Sequence, residues 1–187
     1  MRALKRNYVP GREIMLLKIM RFFTLVFVAL SMGMAFCHAL QLPAKMQYDG
    51  SQYVMLQNSL YVAFGPPNIG AFIEFAAILT PIALTFLVRK RRPAFQLTLA
   101  ATICLLLSFP VVFFLFTEPA NTVFRQATPT SVPANWVELR NQWEYSHAAR
   151  FLLDLVGFSA LLSSILAEKT QKGERDRLTE TAYLSHR

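Results

Sequence analysis

Glu144, His147, Arg150 and Asp154 fall at i, i+3, i+6 and i+10 in Trp143-Glu144-Tyr145-Ser146-His147-Ala148-Ala149-Arg150-Phe151-Leu152-Leu153-Asp154, where a polar loop turns into an apolar run. On a helix these spacings put four ionisable groups along one stripe. If that stripe enters lipid, each group carries a heavy penalty unless it faces the protein interior and finds a partner. The residue types suit three kinds of chemistry. A histidine oriented by a carboxylate can act as a general base. An arginine beside it can bind an anion or hold developing oxyanion charge. Imidazole and carboxylate together can ligate iron, copper or zinc.

The elements that must position this stripe are long and apolar. The chain has 187 residues, 54% of them apolar, 16 of them Phe, and a mean hydropathy of +0.35. The apolar residues gather into blocks, which points to a membrane rather than a soluble core. A basic segment, 1–18, precedes a membrane domain, 19–167, and a charged tail, 168–187. Four runs, at about 19–42, 69–88, 94–117 and 143–166, each match the roughly 20 residues that cross a bilayer core. The first run exceeds the apolar core of a secretory signal, so it reads as an uncleaved span. The intervening 43–68 stretch carries Tyr48, Tyr53 and Tyr61 and predicts an interfacial helix with tyrosines at the headgroup level. On the same argument Trp136 and Trp143 read as interfacial anchors, and Phe109–Phe116 as lipid-facing bulk.

The net charge of +8 could mean nucleic acid or an anionic membrane surface. Its distribution decides. Fifteen of the 19 Lys and Arg lie in the N-terminal segment through Arg21, the Arg89-Lys90-Arg91-Arg92 turn and the tail. The positive-inside rule then puts both termini in the cytoplasm, in a multi-pass protein of the plasma (inner) membrane. Nucleic-acid binding loses its support, and the expected surroundings are the lipid bilayer. No sequence signal identifies a protein partner. Cys37 and Cys104 sit at different expected depths, beyond disulfide reach.

With that topology His38, Glu74, Glu118, Asn121, Glu144, His147 and Arg150 share one depth, near the outer face of an all-α, four-helix transmembrane bundle. Glu144-x-x-His147 has the i, i+3 spacing of bundle-core di-iron sites, with Glu74 and Glu118 as single carboxylates on neighbouring helices. The second Glu-x-x-His of such sites is missing, and the first helix supplies only His38. A metal set of His38, Glu74, Glu118, Glu144 and His147 holding iron or copper is one expectation. A heme between His38 and His147 is another. Chemistry by side chains alone is the third. The bland readings are that Arg150 and Asp154 neutralise one another and that Glu74 snorkels to the interface.

His38-x-x-x-x-Pro43, Tyr48-Asp49, Pro119-x-Asn121 and Trp136-x-x-x-Arg140-x-x-Trp143-Glu144-x-x-His147-x-x-Arg150 follow in order. With four spans, this set resembles the anthrone-oxygenase-like family of small integral membrane proteins over residues 20–167. The resemblance implies an oxidoreductase that inserts oxygen at an activated carbon of a lipophilic phenolic or quinone-like small molecule. It would make His38 or His147 the base and give Arg150 or Asn121 the oxyanion-holding role. The rival expectation is a non-catalytic membrane protein: a small-ligand or metal carrier, or a bracing subunit of a membrane complex.

Overall fold

The computed structural model describes residues 11–185 except Pro66, with side-chain surroundings through Glu168. The first ten residues of the basic segment and the far end of the tail, His186 included, lie outside the described residues. Every named element is helical: α1 (Gly11–Lys45), α2 (Gly50–Ser59), a short 3-10 turn (Val62–Phe64), α3 (Ile69–Val88), α4 (Ala94–Leu106), a π-helical stretch (Leu107–Thr117), α5 (Glu118–Phe124) and α6 (Trp136–Ser185). Val62–Val88, Ala94–Phe124, α1 and the Trp136–Glu168 part of α6 are each long and apolar enough to cross a bilayer. The chain is a multi-pass membrane protein built as a four-helix bundle.

The helices exceed the apolar runs at several ends. Glu13, Met15, Leu16 and Lys18 are good helix formers, so α1 begins at Gly11 although its first turns are polar. Charge ends a span without ending a helix. The third rod continues past Glu118-Pro119 to Phe124 for a different reason. Pro110 and Pro119 each lack an N–H, which breaks the ordinary i→i−4 ladder. The backbone widens into π turns from Leu107 to Thr117, and Glu118 N–H reaches the Phe113 carbonyl five residues back.

Buried positions recur at three- and four-residue steps along each rod. In α1 they are Leu17, Thr24, Val28, Ser31, Ala35, His38 and Lys45. In α6 the stripe runs Arg140, Trp143, His147, Arg150, Asp154, Gly157, Leu161 and Ser164. The main contacts link α1 to α3 and α6, and α4 to α3 and α6, closing a ring of four. Small residues allow the close approaches usual in membranes. A Cβ on Gly157 would sit 3.2 Å from Leu105 Cγ and 3.3 Å from the Ala101 carbonyl, so glycine lets α6 press on α4. A Cβ on Gly70 would collide with the Phe64 carbonyl, which binds the 3-10 turn to the start of α3. Large apolar side chains such as Phe72, Phe86, Leu115, Leu152 and Leu166 are exposed on the outer faces, where lipid covers them.

The polar connection after α1 does form a helix, with one face packed on the bundle and the other exposed. Asp49 caps α2 in a capping box with Gln52. Tyr53 and Val54 are then fully buried against Phe124 and Trp143. Tyr53 and Tyr61 therefore face the protein interior and roof one end of the bundle, while Tyr48 is exposed. Trp143 is likewise a core residue rather than an interfacial anchor, while Trp136 is half-buried. Phe109 and Phe113 turn inward, leaving Phe114 and Phe116 as the lipid-facing members of their run.

Candidate functional site

A cavity of about 440 Å³ opens at the roofed end of the bundle. His38 and Ala35 of α1, Gln57 of α2, Phe64, Glu74 of α3, Phe109 and Phe113, and Trp143, His147 and Arg150 of α6 contribute to its lining. The α6 stripe is buried throughout, with Glu144 at 0%, His147 at 5%, Arg150 at 4% and Asp154 at 1% exposure.

Arg150 reaches across to α3 and donates to Glu74 Oε1 at 2.6 Å, while Ser31 of α1 donates to Glu74 Oε2 at 3.0 Å. Glu74 therefore does not snorkel; it is buried and doubly held. The Arg150 guanidinium also lies over the Phe109 and Phe113 rings, at 5.5 and 5.4 Å. Most of its N–H donors remain unused by the described residues, which suits an oxyanion holder. The expected Arg150–Asp154 pairing is not the main one, because Arg150 spends its short contact on Glu74.

Glu144 belongs to a second buried pair. Lys45 of α1 lies 2.9 Å from Glu144 Oε2, and both side chains are almost fully buried. Tyr53 donates to Glu144 Oε1 at 2.9 Å, and Gln57 Nε2 donates to the Tyr53 hydroxyl at 2.8 Å. Burial, reinforced by the Glu144 carboxylate, pushes the Tyr53 phenol well above the ordinary tyrosine value. Burial and Glu144 raise Tyr61 in the same direction. The Lys45 ammonium also sits over the Trp143 and Tyr61 rings, at 4.6 and 5.1 Å.

Between these two pairs stand the histidines. The His38 and His147 ring centroids are 4.3 Å apart, and Trp143 packs on both, at 4.8 and 4.0 Å. His147 Nδ1 lies 3.0 Å from the Trp143 carbonyl. A carbonyl only accepts, so Nδ1 carries the proton and neutral His147 keeps its lone pair on Nε2. His38 Nδ1 is buried among aromatic neighbours and has no hydrogen-bond partner among the described residues. Tyr61, stacked on Trp143, is tied back to α1 by donating to the Gln41 side chain.

Asn121 and Glu118 occupy the rim. Glu118 pairs with Arg125 at 2.5 Å and accepts from Asn121 at 3.0 Å. Asn121 in turn accepts the Trp143 indole N–H at 2.7 Å. It lines the cavity with its amide oxygen committed to Trp143 and its amide nitrogen donating to Glu118.

His38, Glu74, Glu144, His147 and Arg150 therefore share one end of the bundle, with Asn121 and Glu118 beside them, but the five expected metal ligands form no single set. Each carboxylate already has its own cation: Arg150 for Glu74, Lys45 for Glu144, Arg125 for Glu118. Among the described residues no three of His, Cys, Asp and Glu gather around a point that could hold an ion. The donor set does not fit a resident metal. A heme between the histidines does not fit either. Two iron–nitrogen bonds of about 2 Å each, comparable to zinc–imidazole lengths, would push the rings well beyond their 4.3 Å separation. Cys37 and Cys104 are free thiols, and Cys37 accepts from Gln41 at 3.4 Å.

Sequence reasoning missed Lys45, Tyr53, Gln57 and Ser31. A signal for two of them existed. Ser31, His38 and Lys45 are spaced by seven, so one helical face carries all three into the α6 stripe. Compared with known protein families, curated proteins and solved structures, the chain matches none.

Proposed function

We propose that the protein is a membrane oxidoreductase of the anthrone-oxygenase kind, acting on a lipophilic phenolic substrate with an acidic benzylic methylene. The observation that carries the reading is His147. Its Nδ1 is anchored on a main-chain carbonyl, leaving Nε2 as base in an aromatic-walled cavity that also holds an underused guanidinium. His147 Nε2 takes one methylene proton, and Arg150 holds the negative charge that spreads onto the substrate oxygen. The resulting carbanion passes its electron pair to dioxygen, forming a carbon–oxygen bond and, after protonation, a hydroperoxide. Loss of the second methylene proton then breaks the O–O bond and expels hydroxide. One dioxygen yields one new carbonyl and one water, with the substrate as sole reductant. His38 packs against His147 and keeps its ring upright; Glu74 and Ser31 keep Arg150 aimed.

The excess of Lys and Arg in the N-terminal segment, the Arg89–Arg92 turn and the tail supports an orientation with both termini cytoplasmic in the plasma membrane. The cavity then faces the outer leaflet, open to lipophilic molecules.

The test is dioxygen uptake by full-length protein in nanodiscs supplied with a polycyclic phenol carrying such a methylene. His147→Gln should lower the rate by about 10²–10⁴-fold and Arg150→Met by about 10²–10³-fold. Uptake equal to that of empty nanodiscs would end the oxygenase reading. The rival, a non-catalytic carrier or bracing subunit, has one observation in its favour: the Glu74, Glu118 and Glu144 carboxylates are each already paired with a cation, as a purely structural polar core would have it. It predicts that wild type and both variants are alike in uptake and differ only in stability.

A further inference from the structure

Gln57 takes no part in the chemistry above, yet it is the end of a chain of buried contacts that fixes its orientation. The chain starts at Glu144, whose Oε2 lies 2.9 Å from the Lys45 ammonium. A carboxylate only accepts, so the Tyr53 hydroxyl must spend its single proton on Glu144 Oε1, 2.9 Å away. The tyrosine oxygen can then only accept from the residue on its other side. That residue is Gln57, whose amide nitrogen is 2.8 Å away. Turning the amide over would set carbonyl oxygen against phenol oxygen with no proton between them. The arrangement of donors therefore settles which end of the amide is oxygen.

Gln57 is 9% exposed and lines the cavity. Its Oε1 accepts no hydrogen bond from the described residues. The neighbouring Asn58 is anchored in the same way, its amide nitrogen donating to the Phe124 and Ala127 carbonyls at 2.9 and 3.0 Å, but it is exposed where Gln57 is buried. One wall of the cavity thus offers a fixed acceptor. Another offers the spare donors of Arg150.

We infer that Gln57 selects ligands that present a hydroxyl (or N–H) to its Oε1 while an oxygen acceptor elsewhere on the same aromatic frame reaches Arg150. The substrate class is a flat, uncharged hydroxyaryl carbonyl compound, free hydroxyl required. Charged ligands are disfavoured because the cavity's cations, Arg125 and Arg150, are each already matched by a carboxylate. An ether or a plain hydrocarbon would leave Gln57 Oε1 desolvated without a partner, and that asymmetry is what discriminates. This specificity role rests on the oxygenase reading for the identity of the site, but it is a property of binding and is tested without turnover.

Equilibrium binding of 6-hydroxy-2-acetylnaphthalene and of its methyl ether to full-length protein in nanodiscs decides the matter, each corrected for partition into empty nanodiscs. The two probes share the aromatic frame and the ketone and differ in the hydroxyl donor. Wild type should bind the hydroxy compound about tenfold more tightly than the ether. Gln57→Met, close in shape and without the acceptor, should reduce that ratio to about twofold or less while still binding the ether. Tyr53→Phe should also narrow the ratio, because the amide is then free to turn; a Tyr53 that merely packs would weaken both probes equally. Equal binding of the two probes by wild type, or a ratio unchanged in folded Gln57→Met, overturns the inference. A retained ratio without any dioxygen uptake removes the oxygenase reading alone, and uptake without a ratio removes this one alone.

Discussion

The two ends of the bundle solve the same packing problem in opposite ways. At the end away from the cavity, Leu17, Val28, Leu84, Val88, Leu105 and Leu161 close into an apolar cluster around small residues. Its polar contacts are hydroxyl pairs, Thr85 with Thr102 and Thr98 with Ser164, both at 2.9 Å. Charges there stay at the edge, as in Arg21–Glu168, where both side chains keep 15–19% exposure. At the cavity end the helices are joined by buried ion pairs and by aromatic rings stacked around two histidines. Hydroxyl pairs between membrane helices contribute little each, and close packing carries that end. Buried ion pairs are different: they add little net stability when complete and cost heavily when half removed. One end is built to hold together and the other to hold charge in place.

The largest expected effect breaks the comparison at the cavity end. Glu144→Ala strands the Lys45 ammonium at 2% exposure, and about 3–5 kcal/mol of stability should go with it. Thermal unfolding in nanodiscs reads the loss, and the double variant Lys45→Met, Glu144→Leu should recover most of it. If the single and double variants unfold alike, the pair is not what joins α1 to α6.

Tyr53→Phe comes next, at about 1–3 kcal/mol, because it takes a donor from Glu144 and an acceptor from Gln57. Its pH signature is directional. The Tyr53 phenol is raised above its ordinary value near 10, so the contribution is fully present below about pH 10 and is lost as pH rises further. Melting temperature against pH should fall more steeply above pH 10 in wild type than in Tyr53→Phe; matching slopes would remove Tyr53 from the alkaline transition.

The smallest effect sharpens the contrast from the other end. Thr98→Val removes the hydroxyl facing Ser164 and should cost about 0.6 kcal/mol, the usual size for such bonds between membrane helices. A loss rivalling that of Glu144→Ala would mean the two ends do not differ in the way described.

The α6 stripe was readable in advance because helical periodicity is local: Glu144, His147, Arg150 and Asp154 share a face whatever else the chain does. The partners were harder. Glu74 looked like a residue that could snorkel, and Trp143 like an anchor, because hydropathy reports a residue's depth but not its rotation about the helix axis. Lys45 was readable only as a topological charge, since its role depends on α1 continuing as helix to its C-terminal end. The metal expectation failed for a related reason. Spacing proposes carboxylates, but only placement reveals that each one already faces a cation.

By itself the sequence determined four apolar rods and the faces that their polar residues occupy, because these follow from the helical repeat and the cost of burying charge in lipid. Only the tertiary structure decided that Arg150 meets Glu74, that Lys45 meets Glu144, and that His38 lies on His147. Those pairings join residues up to about a hundred positions apart, and they depend on the rotation of each helix about its axis against its neighbours, which no local pattern encodes.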